Sequence, residues 1–341
     1  CENGVYQVGG RTVHDHHRYK RLSVAEIIKV SSNIGSAKIG KMLERQRYYR
    51  YLRDFGFGSR TGIDFPGETS GVLRHPEQWF EADLAAISFG QGMTLTALQL
   101  ARATAAIANG GLLMEADLVR RVVDKDGTTV EKNKPRTVRR VLSEAVARQV
   151  RDMMVSAVSE DGTGPLAQVP GYTVAGKTGT AQKVDRVTGG YSADKRVSSF
   201  VGFLPAEAPR LVILVVVDEP QGQTYGGLVA APVFARIAEQ SMRYLQVLPT
   251  RPIEKQALPE IVFQEEAPLA VPPLAPAGVK LDAPTMPNCL GMSSRQVLQT
   301  MERAGLNIKL KGSGRVVEQF PRAHQAIQYG SEVWVRLAPP A

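Results

Sequence analysis

The sequence predicts a mixed α/β chain of the α+β kind: an antiparallel sheet with helices packed on it, followed by a second, small α+β domain. Three observations carry this reading. Strand-like segments at 172–183, 198–204 and 210–217 follow one another through turns, and consecutive strands joined by turns pair antiparallel. Helices with recognisable caps stand on both sides of that run. Nine of the chain's 21 prolines fall between Pro249 and Pro287, a composition that suits an extended spacer and cannot hold a helix. Residues 1–248 and 287–341 are therefore expected to be separate domains, with 249–286 as the linker.

Taken in order, Leu22 to Lys29 and Ile34 to Phe55 carry helical periodicity, interrupted at Ser31-Ser32-Asn33. Ala97 to Asn109 reads as a helix opened by Thr96 and stopped by Gly110-Gly111. Leu118 to Val123 and Thr128 to Glu131 flank Lys125-Asp126-Gly127, a hairpin signal. Ser143 caps a helix expected to reach Ser159, with Ala and Val opposite its charges. The β-branched run Leu211 to Val217, between Arg210 and Asp218, reads as a buried strand, and Pro232 to Tyr244 as a closing helix. In the second domain a helix is expected from Ser293 to Ala304, with strands near 306–310, 315–319 and 332–337. Its core is assigned to Leu290, Val297, Leu298, Leu306, Val316 and Val333.

A length of 341 residues with 43% hydrophobic content fits two globular domains. The net charge of +9 would suit a nucleic acid, a membrane surface or an anionic polymer such as cell wall, and does not choose among them. The basic runs Arg45–Arg53 and Lys132–Arg140 lack the interleaved aromatics of a single-strand binder beyond Tyr48, Tyr49 and Tyr51, so they read as solvated faces and nucleic acid is not expected. No run approaches the ~18 apolar residues that cross a bilayer. Cys1 and Cys289 lie one in each domain, which excludes a disulfide framework. His14-Asp15-His16-His17 has no further ligand pattern and is crowded by Arg18 and Lys20; it reads as a solvated loop rather than a zinc site. Neither metal nor cofactor is expected.

The chemistry concentrates in Lys177-Thr178-Gly179-Thr180, where an apolar strand opens onto a cation, two hydroxyls and a glycine. Such an edge can grip a carboxylate while its backbone pairs with an extended ligand, and Gly179 adds no side chain to obstruct the approach. Alone, the run is equally a surface strand with a turn glycine. Ser31 and Asn33, two residues apart at a helix break, can project together into a cleft, although Ser and Asn are also what helix caps prefer. A Ser–Lys pair can relay a proton when the ammonium's pKa is depressed. Gly90-Gln91-Gly92 and Tyr225-Gly226-Gly227 read as turns for close chain packing more than for ligand contact.

Ser-x-Asn followed downstream by Lys-Thr-Gly resembles the signature of penicillin-recognising serine acyltransferases, which adds a preceding Ser-x-x-Lys. The run from Ser88 to Leu100, Asn109-Gly110-Gly111, Ser198 to Phe203, Tyr225 to Gly227 and Ala231-Pro232-Val233-Phe234 resemble the transpeptidase domain of class B penicillin-binding proteins, most closely the division- or sporulation-specific kind. Pro287 to Ser294, Ala304-Gly305-Leu306, Gly312 to Val317 and Gln319-Phe320-Pro321 resemble one PASTA module. The resemblance implies a peptidoglycan D,D-transpeptidase acting at the outer face of the cytoplasmic membrane. Its substrates would be stem peptides ending in D-Ala-D-Ala, its inhibitors β-lactams, and its partners a glycosyltransferase and division proteins. It implies Ser31, Asn33 and Lys177 as catalytic, with Thr178, Gly179 and Thr180 binding the substrate carboxylate and Thr180 supplying an oxyanion N–H. The literal Ser-x-x-Lys match, Ser192 to Lys195, follows Lys177 instead of preceding Ser31 and reads as a hairpin loop. The nucleophile is thus expected upstream of Cys1, leaving this chain inert alone; the competing expectation is a non-catalytic wall-binding scaffold.

Overall fold

The computed structural model describes residues 1–185, 190–252, 285–303, 306, 308–327 and 333–339. Contacts divide the chain into two compact units, Cys1–Pro259 and Glu260–Ala341. Most of the proline-rich stretch lies outside the described residues.

The first unit opens with a hairpin, β1 (Val5–Val8) and β2 (Arg11–His14), then α1 (Val24–Val30), α2 (Asn33–Leu43) and α3 (Arg45–Asp54). There follow α4 (Glu81–Ser88), α5 (Ala97–Ala108), β3 (Leu112–Met114), β4 (Arg121–Val123), β5 (Thr129–Lys132), β6 (Thr137–Arg140) and α6 (Glu144–Ser156). A three-stranded antiparallel sheet comes next, β7 (Ala175–Val184), β8 (Tyr191–Leu204) and β9 (Leu211–Asp218), with spatial order β7-β8-β9. The short α7 (Gly226–Val229) and α8 (Ala231–Tyr244) close the unit.

Local chemistry explains the boundaries. Ser23 and Thr96 open α1 and α5 with reciprocal capping boxes, through Glu26 and Gln99. Ser143 caps α6 as expected, but the helix ends at Ser156, three residues early. The long helix expected from Ile34 to Phe55 is two helices. Glu44 takes φ 60°, ψ 154°, which no residue can hold inside a helix, and the chain restarts at Arg45.

The sheet is covered on both faces because alternate residues of a strand point to opposite sides. Phe200 and Leu204 pack with Phe234, Ala238 and Met242 of α8 on one face. Phe203 and Ala175 pack with Met154 and Val150 of α6 on the other. Phe200 and Phe234 meet with ring centroids 4.7 Å apart. A Cβ at Gly176 would lie 2.3 Å from the Phe200 ring, so the ring needs a glycine beneath it. β9 is less enclosed than its β-branched sequence suggests: it is an edge strand, and Val216 is 47% exposed.

The second unit contains α9 (Ser294–Arg303), β10 (Lys309–Gly312), β11 (Arg315–Phe320) and β12 (Trp334–Ala338). β12 is central, parallel to β10 and antiparallel to β11. Val297, Val316 and Val333 lie in its core with Met286, Cys289, Met301, Val335 and Leu337, and Leu306 packs at the margin. Leu290 and Leu298 do not: they are 54% and 51% exposed. Helical spacing turns Val297 and Met301 inward as an i, i+4 pair, and Leu298 is carried round to solvent. Both cysteines are free.

Candidate active site

Ser31 terminates α1 in a left-handed conformation, φ 58° and ψ 48°, with its N–H donating to Ile27 O. Ser32, 2% exposed, begins α2: its Oγ accepts from Gly35 N at 2.9 Å and donates to Asp15 Oδ2 at 2.7 Å. Asp15 Oδ1 also accepts from Ile34 N at 3.0 Å, and Asn33 Nδ2 donates to His14 O at 2.9 Å. The loop after β2 therefore clamps the Ser-Ser-Asn turn. The histidine-rich run is only partly a solvated loop, since Asp15 is tied down on both oxygens. Among the described residues no group of three or more His, Cys, Asp or Glu side chains is placed to hold a metal.

Across the cleft, β7 presents Lys177 to Thr180 in register with Val201 to Ser198 of β8. Among the described residues no strand pairs with the other edge of β7. Lys177 Nζ donates to Ser31 Oγ at 2.8 Å, joining residues 146 apart in the chain, and also to Thr178 O at 3.2 Å. Burial pushes the Lys177 ammonium down to about 8, by stripping hydration from its charged form.

Thr178 Oγ1 meets Thr163 Oγ1 at 3.0 Å, and Gly226 N donates to Thr180 Oγ1 at 3.0 Å. The glycines of Tyr225-Gly226-Gly227 serve chain packing. A Cβ on Gly226 would stand 2.4 Å from Gly179 O, and one on Gly227 2.3 Å from Thr163 O. Gly179 faces a neighbour the sequence did not disclose: its missing Cβ would lie 2.5 Å from Ser199 Oγ. Beside Ser31, Lys29 pairs with Asp161 at 2.5 Å, and the Lys29 and Ser159 hydrogen bonds hold that carboxyl below its usual range.

Ser31, Asn33 and the Lys177–Thr180 run thus lie on two walls that meet through one hydrogen bond. Asp15, Asp161 and Thr163 were not anticipated. Asp161-Gly162-Thr163-Gly164 carried a weak turn signal before the strand, and Asp15 was masked by the histidines around it. Ser192 to Lys195 is not a hairpin loop but lies within β8, in the register irregularity between the pairs Gln182–Arg196 and Val184–Tyr191. Ser192 Oγ accepts from Lys195 N at 3.1 Å, and Lys195 Nζ lies 3.6 Å from Glu219.

A Lys-Thr-Gly sheet edge against a Ser-x-Asn turn brings together two of the three elements that mark the penicillin-recognising class of serine acyltransferase folds. The chain belongs to the family described as "Penicillin binding protein transpeptidase domain", which matches residues 1–239, and carries a PASTA domain at 284–339. It is 38% identical over 253 residues to "Probable peptidoglycan D,D-transpeptidase PenA" of Neisseria flavescens, covering 74% of this chain and 60% of that protein. It is 35% identical over 315 residues to Stage V sporulation protein D of Bacillus subtilis, covering 92% of this chain and 45% of that one. The chain therefore spans 60% or less of these curated relatives. Among solved structures, the apo transpeptidase domain of Burkholderia pseudomallei penicillin-binding protein 3 matches with TM-score 0.66 and 38% identity, over 73% of this chain and 72% of that one. Penicillin-binding protein 3 of Mycobacterium tuberculosis in complex with aztreonam matches with TM-score 0.67 and 37% identity, over 73% and 58%.

Proposed function

We propose that this chain provides the proton-relay and carboxylate-binding walls of a class B peptidoglycan D,D-transpeptidase. The observation that carries this is the Lys177–Ser31 hydrogen bond. Below about pH 8 Lys177 is an ammonium donating to Ser31 Oγ, which leaves the Ser31 hydroxyl proton free to point into the cleft. A relay through that hydroxyl suits the proton traffic of serine acyl transfer, in which the nucleophile loses a proton and the leaving amine gains one. Lys177, Thr178 and Thr180 would receive the terminal carboxylate of a D-Ala-D-Ala stem. The open edge of β7 would pair with the stem's backbone, and the Thr180 N–H would face the oxyanion. Asn33 retains its Oδ1 and one amide hydrogen for the substrate backbone, since one N–H is committed to His14 O.

In the full reaction a serine attacks the penultimate D-alanine carbonyl and expels the terminal D-alanine, and an amine of a neighbouring stem resolves the acyl-enzyme. β-Lactams mimic the dipeptide and stop at the acyl stage. Such a protein works outside the cytoplasmic membrane, beside a glycosyltransferase and division proteins. The nucleophile is assigned to a Ser-x-x-Lys helix and not to Ser192, which lies on a strand with its lysine paired to Glu219.

A fluorescent penicillin tests this. The 341-residue chain is expected to remain unlabelled, and in the protein carrying a Ser-x-x-Lys helix Lys177→Ala should slow acylation by at least roughly a hundredfold, while Lys195→Ala has little effect. Stoichiometric labelling at Ser192, or equal effects of the two substitutions, would overturn the assignment.

A further inference from the structure

Away from the cleft, the first unit contains a pocket of about 420 Å³ between α3, the turn at 56–62, α5 and the β3–β6 ladder. Arg53, Arg60, Arg102, Arg136 and Arg139 line it, against two acids, Glu115 and Asp117. Arg136 is matched by Glu115 at 2.7 Å, and Arg139 by Asp54 at 3.6 Å. The other three have no carboxylate within 4 Å among the described residues. Arg53 donates to the carbonyls of Phe57 and Gly58, at 3.2 and 2.7 Å, and Arg102 Nε to Met114 O. Burial first, and then the Arg139 guanidinium, hold Arg102 below the ordinary arginine range, although Glu115 and Glu68 pull the other way.

Arg53, Arg60 and Arg102, gathered without an ion-pair partner, repel one another, and Arg53 and Arg102 are partly buried, where solvent screens charge less. Each also keeps unused N–H donors in a planar fork that matches phosphoryl oxygens two at a time. With Asp54, the partner of Arg139, counted beside Glu115 and Asp117, five positive charges stand against three negative ones. The volume is that of roughly a dozen waters, so a single phosphate would fill little of it. Two linked phosphoryl groups would supply the missing charge and reach donors on separate walls.

We infer that this arginine-lined pocket binds a diphosphate-bearing ligand, at a site separate from the Lys177 cleft and independent of the acyl-transfer reading. Calorimetric titration of the chain with sodium pyrophosphate at low ionic strength tests it. Saturable binding is expected, about tenfold weaker in Arg60→Ala, the loss of one charge-assisted contact, and tighter in Asp117→Asn. Both positions are exposed, so folding is not at risk. A surface control, Arg120→Ala with Arg121→Ala on the neighbouring hairpin, should leave affinity unchanged. A second arm separates sources, using phosphatidylcholine vesicles doped with a long-chain alkyl diphosphate. Cosedimentation that pyrophosphate competes away and Arg60→Ala removes would assign a lipid-borne diphosphate; pyrophosphate binding without cosedimentation would assign a soluble one. Absence of saturable pyrophosphate binding, or equal weakening by Arg60→Ala and the surface control, would overturn the inference.

Discussion

Lys177 bears an electrostatic burden that stability measurements can read. In the unfolded chain its amine has the ordinary value of 10.5, and in the folded protein about 8. Between those values the unfolded chain binds more protons, so stability rises with pH across that window; below pH 8 the full penalty applies. Compared with Lys177→Met, the wild-type chain should therefore gain on the order of 2 kcal/mol between pH 7.5 and 10, as measured by urea denaturation at each pH. A flat difference would mean that the ammonium is well solvated. Asp15 has the opposite character, an acceptor holding two donors at the Ser31–Asn33 turn. Asp15→Asn presents an amide where an acceptor is needed and should cost about 1–3 kcal/mol, with perturbed amide signals concentrated at residues 31–35. These two residues differ in how openly the sequence displays them. Lysine in a Lys-Thr-Gly context signals its own chemistry, whereas an aspartate that clamps a turn across a hairpin gives no periodic signal at all.

At the level of elements, what the sequence revealed best were segments whose ends are chemically marked: Thr96 and Ser143 open α5 and α6 as read. Segments defined by pairing were harder. The start of β8 contains Ser192, Asp194 and Lys195, poor strand formers that sit in a register irregularity between the pairs Gln182–Arg196 and Val184–Tyr191. The β1–β2 hairpin and α4 are too short for a clear period. The break between α2 and α3 is invisible because Glu44 is an ordinary helix former placed in a backbone region that glycine prefers. Glu44→Gly should accordingly stabilise the protein by about 1 kcal/mol in thermal unfolding, and a loss would mean that the Glu44 side chain contributes more than its backbone strain removes. Gly226→Ala should have the opposite sign and exceed about 2 kcal/mol, because the atoms it meets are the carbonyls of Ser199 and Gly179 and not movable side chains.

On the scale of the whole molecule, the α+β class and the candidate site were legible because motifs survive as contiguous runs, while the site's supporting residues come from distant loops. The second unit has its own core, and residues 285–339 are expected to melt as an independent transition when excised; failure to fold alone would show that they depend on the rest. The hydrogen bond between Ser31 and Lys177 has a consequence for biosynthesis. At roughly 5–20 residues per second, Ser31 leaves the ribosome about 7–30 s before the lysine that completes it, a gap of 146 residues. Throughout that interval the hairpin, α1 and α2 can form and Asp15 can already hold the turn, so one wall waits, assembled and exposed, for the strand that closes the cleft.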